Sequence, residues 1–373
     1  MLEAARTPNC DLLKTQYMHI QREILMPIVN HIVLRNFIYD IYRAGGGVDE
    51  DARIVSDHVV DSNLVGHDSH GVINALNYFD SMKGGPSADK LEIIRETPTS
   101  AVIDAHRALG MVAARKAMEL TVQKAGTNTI GAVGLHHSGH AGRMGEYPPM
   151  AARAGMIGIV LLNGGGCFMH PFGGTSRRLP PNPVAISVPR KNGDPLLLDM
   201  TLSVIAGGKM LVKIARDEKM PEGWMIDSDG KPVTDPNDFR LRVDDTAVMP
   251  LGGFQFGHKG FGLGFMVDAI AGGLSWAGCT RAEPTRGGSG IVMIAIRIED
   301  FIDLDIYNQE IEYMIEWVKS SARLPGVDEI YVPGEFEERN LKRRTREGIP
   351  IEKPTWNALV EKAKELGVEV PRV

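Results

Sequence analysis

The sequence predicts an α/β fold. Between about Thr129 and Gly166 a strand-like apolar run, a glycine-containing turn, a helical pattern and a second strand-like run follow one another. This is the order of an α/β layer whose site lies at the strand ends. Helical patterns dominate both ends of the chain. With 43% hydrophobic and 24% charged residues among 373, the composition is that of a globular protein and excludes a disordered or fibrous one.

The amino-terminal part predicts two helices. From about Arg22 to Ala44 apolar residues recur at helical spacing and stop at three consecutive glycines. Asp49 is expected to cap a second helix that ends near Gly66 and leads into the segment GHDSHG. After Pro86 the runs IIRET and SAVIDA predict strands.

The middle of the chain alternates between helix and strand. A helix is predicted from Ala108 to Ala125, ending at Gly126. TIGAVGL predicts a strand leading into HHSGHAGRMGEY, a helical pattern continues through Ala154, and MIGIVLL predicts a strand ending in NGGG. PPNPVAISVPR and PLLLDM predict two further strands.

The last third begins with a helix predicted from Ser203 to Ala215 and a surface excursion from Asp227 to Arg242, rich in Asp, Gly and Pro. The stretch from Phe261 to Trp276 is apolar nearly all round, which predicts a helix buried on every side. GIVMIAIRI predicts a strand, and charged helices follow to the end.

Charge and cysteine content restrict the class of protein. Lys plus Arg number 41 against 47 for Asp plus Glu, a net charge of −6, so a nucleic-acid partner is not expected. Cys10, Cys167 and Cys279 are odd in number and far apart, which favours neither a disulfide framework nor a zinc knuckle and fits a reducing compartment. The amino-terminal stretch has no apolar signal core, and no apolar run reaches about 18 residues. We therefore expect a cytoplasmic protein that does not bind membranes.

Two histidine motifs carry candidate chemistry. His70, flanked by Ser69 at a helix end, can exchange a proton near neutral pH, or it can merely cap carbonyls in a turn. In HHSGH, just past a predicted strand, three histidines in five residues suit either acid–base chemistry or metal binding. Their spacing matches none of the common helical zinc patterns, so no metal is predicted. His140 is the candidate acid–base residue, with His136 and His137 alternating across the strand end.

Glycine-rich turns are the third signal. Asn163–Gly166 and His258–Gly262 are among the places where backbone N–H groups could approach an anionic ligand. Lys259, before Gly260 at the start of a predicted helix, suits a phosphate. No GxGxxG followed by an acidic residue about 20 positions later is present, so an ordinary Rossmann fingerprint is not supported.

The order of six short motifs resembles the type 2 malate/L-lactate dehydrogenase family, which includes ureidoglycolate, sulfolactate and other hydroxycarboxylate dehydrogenases and piperideine-2-carboxylate reductase. The resemblance covers about Ile32 to Glu335. The motifs are SHGV at Ser69–Val72 with Tyr78 downstream, S-x-H-x-G at Ser138–Gly142, NP at Asn182-Pro183, LDM at Leu198–Met200, KGFGL at Lys259–Leu263 and PGE at Pro333–Glu335.

The resemblance implies a homodimeric oxidoreductase that uses NAD or NADP. It implies a non-Rossmann cofactor-binding α/β domain with a mixed sheet, and a helical lobe built from both chain ends. Residues 1–110 would form the amino-terminal part of that lobe with the SHG motif, residues 111–300 the cofactor-binding domain, and residues 301–373 the helical part that returns to the first lobe.

The resemblance also implies roles for individual residues. His140 matches the family's catalytic histidine and Ser69 and His70 its substrate-site pair, while Tyr78 and Asn74 lie at substrate-binding positions. The residues at its cofactor-binding positions are Gly164, Asp199, Met200, Thr201, Lys259, Gly260, Pro333, Gly334 and Glu335.

The chain departs from the family pattern at two positions that bear on ligands. Asn74 stands where the family commonly has the arginine of SHGV-x-R, and the run Asp199–Ser203 has Thr201-Leu202 where the family has alanine-threonine. A substrate carboxylate still needs a cation, and a planar guanidinium suits it best. If a helix begins after His140, Arg143 shares its face and replaces the missing arginine; the alternative is a surface pair of Arg143 with Glu146.

We therefore expect reversible hydride transfer between nicotinamide and C2 of a small 2-hydroxy or 2-oxo carboxylate such as malate or lactate, with His140 moving the hydroxyl proton. Two alternatives remain at this point. One is a metal-dependent hydrolase built on His136, His140 and His70, and the other is a glycine-rich binding protein without catalytic activity. The identity of the acid and the choice between NAD and NADP stay open.

Overall fold

The computed structural model describes residues 26–164, 166–283 and 289–372. Cys10, the first residues of the predicted first helix and the amino-terminal stretch considered for a signal peptide lie outside the described residues. The protein is a mixed α/β structure. Its strands are β1 (Ile28–Val29), β2 (Glu92–Glu96), β3 (Ser100–Asp104), β4 (Ile130–Ser138), β5 (Met156–Asn163), β6 (Val184–Val188), β7 (Leu196–Met200), β8 (Met225–Asp227), β9 (Pro232–Val233), β10 (Thr246–Val248), β11 (Ser289–Arg297) and β12 (Ile349–Pro350).

Eleven α-helices are found in the described part of the chain. They are α1 (His31–Ala44), α2 (Asp49–Leu64), α3 (Ala75–Phe79), α4 (Gly110–Asn128), α5 (Pro148–Ala152), α6 (Gly207–Ala215), α7 (Asp238–Leu241), α8 (Gly253–Leu274), α9 (Leu304–Lys319), α10 (Glu335–Glu347) and α11 (Lys353–Leu366). None of the helices described combines the length and the apolar character that crossing a membrane requires.

A seven-stranded mixed sheet forms the centre, in the order β2-β3-β4-β11-β5-β6-β7. Only β3 and β4 run parallel, and the other neighbouring pairs are antiparallel. Helix α4 packs on β4 and β11, and α5 packs on β5. The core between them contains Val133, Leu135, Val160, Ile291 and Met293. These strands are the apolar runs that the sequence predicts.

The helices of the two chain ends share a second core. Leu34 of α1 and Val55 of α2 lie in one buried cluster with Ile349 of β12 and Leu359 of α11. Strand β1 pairs with β12, which ties residues near the start of the described chain to residues near its end.

Three sequence predictions about these elements are wrong in detail. Ile28 and Val29 form a strand, and Asn30 caps α1 by accepting the N–H groups of the second and third helical residues. Asp49 is the first residue of α2, not its cap, and its carboxylate accepts the Tyr39 hydroxyl. Helix α4 continues through Gly126, because a glycine within a helix costs only about 1 kcal/mol and does not end it by itself.

The segment predicted as a surface excursion contains structure of its own. Strands β10, β8 and β9 form a small antiparallel sheet, and α7 lies beside it. The apolar side chains of Met225, Val233 and Val248 are buried there. So small a sheet needs only a few buried apolar residues. The high Asp, Gly and Pro content of the segment therefore gave no sign of it.

Helix α8 is not buried on every side, which corrects the prediction for this stretch. One face packs on β5 and β11, whereas Phe265 and Leu274 on the other are 56% and 65% exposed. The helix also begins eight residues earlier than predicted, at Gly253.

Candidate active site

Three side chains stack where two loops meet. The short 3₁₀ segment Asp68–His70 follows α2, and the loop after β4 carries His140. The imidazole rings of His70 and His140 are nearly parallel, with centroids 6.0 Å apart and planes 8° apart. The ring of Tyr78, on α3, lies 6.1 Å from that of His140. The structure thus brings together the two histidines and the tyrosine that the sequence singles out.

Within the described residues, the hydrogen bonds of His140 all involve one ring nitrogen, Nδ1. The Gly142 N–H donates to Nδ1 at 3.2 Å, and the Tyr78 hydroxyl lies 2.9 Å from the same nitrogen. Because a backbone N–H can only donate, Nδ1 is the acceptor in this arrangement and the neutral ring carries its hydrogen on Nε2. Nε2 is therefore the nitrogen that can act on a substrate oxygen.

Ser69 and His70 are held in place by their neighbours. The Ser69 hydroxyl lies 3.2 Å from Nδ1 of His70, and the side-chain amide of Asn74 donates to the Ser69 carbonyl at 2.7 Å. A Cβ on Gly208, in the first turn of α6, would lie 2.9 Å from Cβ of Ser69. Asn74 therefore braces the backbone of the serine, and Gly208 is a close neighbour that the motifs did not indicate.

Burial keeps the stacked groups neutral near pH 7. It lowers the pKa of His140, and the nearby His58 contributes in the same direction. Burial lowers the pKa of His70 to about 3, and interactions with His140, His67, His58 and Arg143 act in the same direction. Burial also raises the pKa of Tyr78 to about 12. Removing charged forms from water is costly, so neutral donors and acceptors are what this site offers.

Arg143 supplies positive charge, although both sequence arguments about its surroundings are wrong. No helix begins after His140; Arg143 precedes a 3₁₀ turn at Met144–Glu146. Nor is it on the surface, because the residue is 7% exposed. Among the described residues its Nε has no hydrogen-bond partner, and its charge contributes to the low pKa of His70. A buried guanidinium with an unused N–H beside His70 is suited to bind an anion.

A buried pair that the sequence did not indicate holds the backbone of Arg143. His58, on α2, is fully buried, and its Nε2 accepts the Arg143 N–H at 2.8 Å. That bond places the His58 hydrogen on Nδ1, which contacts the Glu146 carboxylate. Burial alone raises the pKa of Glu146, but His58 and Arg143 outweigh it and the net shift is downward. Glu146 thus accepts the His58 N–H and is not a surface partner of Arg143.

Glycine is required next to this pair. Gly142 has φ of +69°, and a Cβ there would lie 1.9 Å from Nε2 of His58. Only a residue without a side chain allows the close approach. The glycine in S-x-H-x-G is therefore explained by the His58 contact.

Asp199 joins the end of β7 to the same loop. Its carboxylate accepts the Gly145 N–H at 2.7 Å, and a Cβ on Gly145 would lie within 2.7 Å of both this carboxylate and the Arg143 guanidinium. Thr201 donates to the Ser203 carbonyl at 3.2 Å, and Met200 closes β7 between them. The predicted Asp199–Thr201 segment thus adjoins the loop that carries Arg143.

Residues of helix α10 form hydrogen bonds with the segment just before His70. Arg344 donates to both carboxylate oxygens of Asp68, at 2.6 and 3.0 Å. Glu337 lies 3.1 Å from Nε2 of His67. Residues of the carboxy-terminal part of the chain therefore position the SHG motif.

Three strand ends lie together next to His140. Ser289, at the start of β11, pairs with Ser138 at the end of β4, and Gly290 pairs with Asn163 at the end of β5. Gly164 follows with φ of +151°, and a Cβ there would lie 2.3 Å from the Ser289 hydroxyl. The Ser138 hydroxyl is buried without a hydrogen-bond partner in the described parts of the chain. A carboxamide group can both donate to and accept from such a hydroxyl.

The remaining predicted cofactor residues lie on α8 and at the start of α10, not among the strand ends next to His140. Lys259 is the seventh residue of α8 and exposed, so the prediction that it adjoins a helix N-terminus is wrong. Gly260 is a packing glycine, since a Cβ would lie 2.4 Å from the Leu251 carbonyl oxygen. Pro333 and Gly334 precede α10, where Gly334 lies against the backbone of β7. Glu335 lines a cavity of about 490 Å³ whose charged residues are evenly mixed: Arg190, Arg339 and Lys342 with Glu329, Glu335 and Glu338.

The three histidines of the metal-hydrolase alternative are not brought together as one group. His136 and His137 belong to strand β4, not to the loop after it, and both lie beside Asp104. His140 lies past the strand and stacks on His70.

Comparison with known proteins identifies what this arrangement resembles. A family model described as malate/L-lactate dehydrogenase matches residues 29–360. The chain is 37% identical to malate dehydrogenase of Pyrococcus horikoshii over 345 residues, which cover 90% of this chain and 94% of that protein. It is 35% identical to hydroxycarboxylate dehydrogenase B of Escherichia coli over 350 residues, covering 90% and 93%.

A solved structure is similar over nearly the whole chain. The crystal structure of malate dehydrogenase from Entamoeba histolytica superposes with a TM-score of 0.87 at 27% identity. The match covers 93% of this chain and 100% of that one. The mixed seven-stranded sheet is thus an architecture found in a solved malate dehydrogenase.

Proposed function

The chain belongs to the malate/L-lactate dehydrogenase family, and from this premise we propose how its residues carry out the reaction. The protein is a hydroxycarboxylate dehydrogenase, an oxidoreductase that acts on 2-hydroxy acids. The metal-dependent hydrolase alternative is not supported. The observation that carries the mechanism is the stack of His70, His140 and Tyr78 beside the buried Arg143.

His140 moves the proton. During oxidation of the hydroxy acid, Nε2 accepts the hydroxyl proton, and during reduction it returns the proton to the oxygen on C2. Accepting at Nε2 requires the tautomer with its hydrogen on Nδ1, and the Tyr78 hydroxyl can accept that hydrogen. The lowered pKa of His140 keeps the ring neutral at pH 7, and in the tautomer with its hydrogen on Nδ1 that neutral ring can accept the hydroxyl proton at Nε2.

Arg143 and the SHG pair hold the acid. The guanidinium binds the carboxylate with paired N–H groups and so fixes which face of C2 is presented. Ser69 and the neutral His70 hydrogen-bond to the substrate oxygens, and Asn74 keeps the serine backbone in place. Burial around Arg143 excludes water, which strengthens its hold on an anion.

The cofactor is NAD or NADP, which supplies the hydride acceptor and donor when bound. The buried Ser138 hydroxyl and the close approach that Gly164 allows fit the carboxamide end of nicotinamide. Asp199, Met200 and Thr201, which adjoin the loop that carries Arg143, would also contact the cofactor. Lys259 with Gly260, and the Pro333–Glu335 segment, would contact its more distant parts.

The finer architecture also belongs to the proposal. Residues 1–110 and 301–373 form one helical lobe, and residues 111–300 form a non-Rossmann cofactor-binding domain. The core shared by α1, α2 and α11, and the Asp68–Arg344 contact, support this division.

We further propose that two copies associate through α8. Its outer face presents Leu263, Phe265, Met266 and Leu274 to solvent, each at least 50% exposed, and grouped apolar side chains of this kind often mark an interaction surface. The free thiols of Cys167 and Cys279 support a reducing, cytoplasmic setting.

A screen of hydroxy acids tests the proposed function. Lactate, malate, sulfolactate and larger 2-hydroxy acids are each incubated with NAD and with NADP in the presence of EDTA, and formation of reduced cofactor is followed by absorbance. At least one pair should give turnover that is abolished when the 2-hydroxyl group is absent from the acid. Turnover that depends on a divalent metal, or none with any pair, would contradict the mechanism.

A further inference from the structure

A β-bulge interrupts strand β4 at two consecutive histidines. In the pairing with β11, Ser289 faces Ser138 and Ile291 faces Leu135, so His136 and His137 together face the single residue Gly290. A bulge bends its strand and redirects side chains, and bulges are frequent next to functional sites.

The bulge places both imidazoles on the same side. Neighbouring residues of a regular strand point to opposite faces of the sheet. His137 instead has φ of +51°, and its ring meets that of His136 edge to face with centroids 4.5 Å apart. A left-handed conformation is uncommon for a residue other than glycine, so the surrounding structure must hold it.

A carboxylate lies beside the two rings. Asp104 ends β3, the parallel neighbour of β4, directly opposite His136. Its carboxylate oxygen lies 3.1 Å from Nδ1 of His137, and one ligand atom from each of the three residues lies within 4.8 Å of the other two. The backbone is fixed by the Arg107 N–H, which donates to the His137 carbonyl at 2.7 Å.

This donor set matches a known class of ion. Two imidazole nitrogens and one carboxylate oxygen are the ligands of zinc and nickel sites, whereas Mg²⁺ and Ca²⁺ prefer oxygen alone. We propose that Asp104, His136 and His137 bind a divalent transition-metal ion of the zinc or nickel class, at a site separate from the His140 stack. Three protein ligands leave a coordination position for water. The ion enters from the side of His137, whose side chain is one-third exposed.

The location gives the ion a structural effect on the active-site loop. His137 is three residues before His140, and the Gly139 N–H between them donates to the Ala108 carbonyl at 2.9 Å. An ion that joins β3 to β4 at this point restrains the start of the loop without contacting the substrate. The hydride transfer itself requires no metal.

A Ni²⁺ titration of the full-length, chelator-washed protein tests the proposal. The Trp276 ring lies 6.5 Å from that of His136, so bound Ni²⁺ should quench its fluorescence. Bound metal is measured in parallel by equilibrium dialysis, which does not depend on the tryptophan. We expect one saturable equivalent, and Trp276→Phe should lose most of the quenching while keeping the dialysis result.

Two substitutions test the ligands with little change to the backbone. Asp104→Asn keeps an oxygen for the His106 N–H, and His137→Asn introduces a residue that tolerates the left-handed region. Each should weaken Ni²⁺ binding by at least the roughly 10–100-fold that loss of a supporting partner costs a metal site. His31→Ala, at the start of α1, is the control and should bind as the unmodified protein does. Absence of a saturable equivalent, or equal affinity in both ligand variants and the unmodified protein, would overturn the proposal.

Discussion

The Tyr78 hydroxyl oxygen lies 2.9 Å from Nδ1 of His140, although the two residues are 62 positions apart. A hydroxyl can both donate and accept, so it can stay bonded to Nδ1 whether or not that nitrogen carries a hydrogen. The Gly142 N–H, which shares Nδ1, can only donate. Tyr78 is therefore the partner that allows His140 to change its protonation during the reaction.

Replacing Tyr78 by Phe should lower kcat/KM by roughly 10- to 100-fold, the cost of a lost hydrogen bond to a charged group. Because a substitution cannot change the overall equilibrium constant, oxidation and reduction should fall by the same factor. Initial rates in both directions measure this. Tyr313→Phe, on the exposed side of α9, is the control. Unchanged kcat/KM in Tyr78→Phe would show that the hydroxyl does not assist His140.

His140→Ala should lower turnover by roughly 10²–10⁴-fold, as loss of a general acid–base group does. Cofactor affinity, followed by the fluorescence of the reduced nicotinamide, should persist because the ring does not hold the cofactor. His31→Ala should behave as the unmodified protein. Near-normal turnover with an unchanged circular dichroism spectrum would remove His140 from the mechanism.

Arg143→Ala should raise KM for the acid by roughly 30-fold or more, since the carboxylate would lose its buried cationic partner. Arg143→Lys should be intermediate, because an ammonium cannot pair with both carboxylate oxygens at once. Cofactor dissociation constants should not change in either variant. Arg153→Ala, an exposed arginine just after α5, provides the control. If KM is the same in Arg143→Ala, another cation binds the carboxylate.

Glu146→Leu should raise KM for the acid by roughly 10-fold or more and leave kcat less affected, because His58 loses the acceptor that fixes its ring behind Arg143. Glu146→Gln retains an oxygen acceptor and should restore most of the affinity. Steady-state kinetics and thermal unfolding are measured together. Equal KM values in the two variants, with equal losses of Tm, would reduce Glu146 to a structural role.

His70 should make stability depend on pH. Its pKa is about 3 in the folded protein and 6.5 when unperturbed, so below pH 6.5 the unfolded chain binds a proton that the folded protein does not. The free energy of unfolding should therefore fall as pH falls, by up to roughly 3 kcal/mol from this residue between pH 7 and about pH 4.5. Urea unfolding of the unmodified protein and of His70→Gln measures the difference. Parallel pH curves for the two proteins would contradict it.

The strands of the central sheet could be predicted, whereas their order could not. Each strand is an apolar run bounded by turn residues, a local signal. Strand β11, however, lies between β4 and β5 although at least 151 positions separate it from β4 and at least 126 from β5, and no local pattern encodes that pairing. For α8, the sequence shows that the helix is apolar nearly all round. It does not show which of its faces pack against the rest of the chain.

The candidate site likewise contains residues that could be predicted from the sequence and residues that could not. His140, Ser69, His70 and Tyr78 lie in recognisable motifs, and the structure places them together. His58 is separated by 85 positions from the backbone N–H that it accepts, and a lone histidine within a helix carries no signal of such a role. The prediction that Lys259 adjoins a helix N-terminus is wrong because α8 begins at Gly253, eight residues before the apolar run that starts at Phe261.

The contact between Asp68 and Arg344 also sets an order of events during synthesis. At roughly 5–20 residues per second, the 276 positions between them take about 15–55 s to translate. During that interval α1 and α2 are complete while β12 and α11, which cover their apolar faces, do not yet exist. The nascent chain therefore exposes the apolar faces of α1 and α2 during that interval, a surface suited to chaperones that bind growing chains. Only after α10 emerges can the SHG segment take its final position.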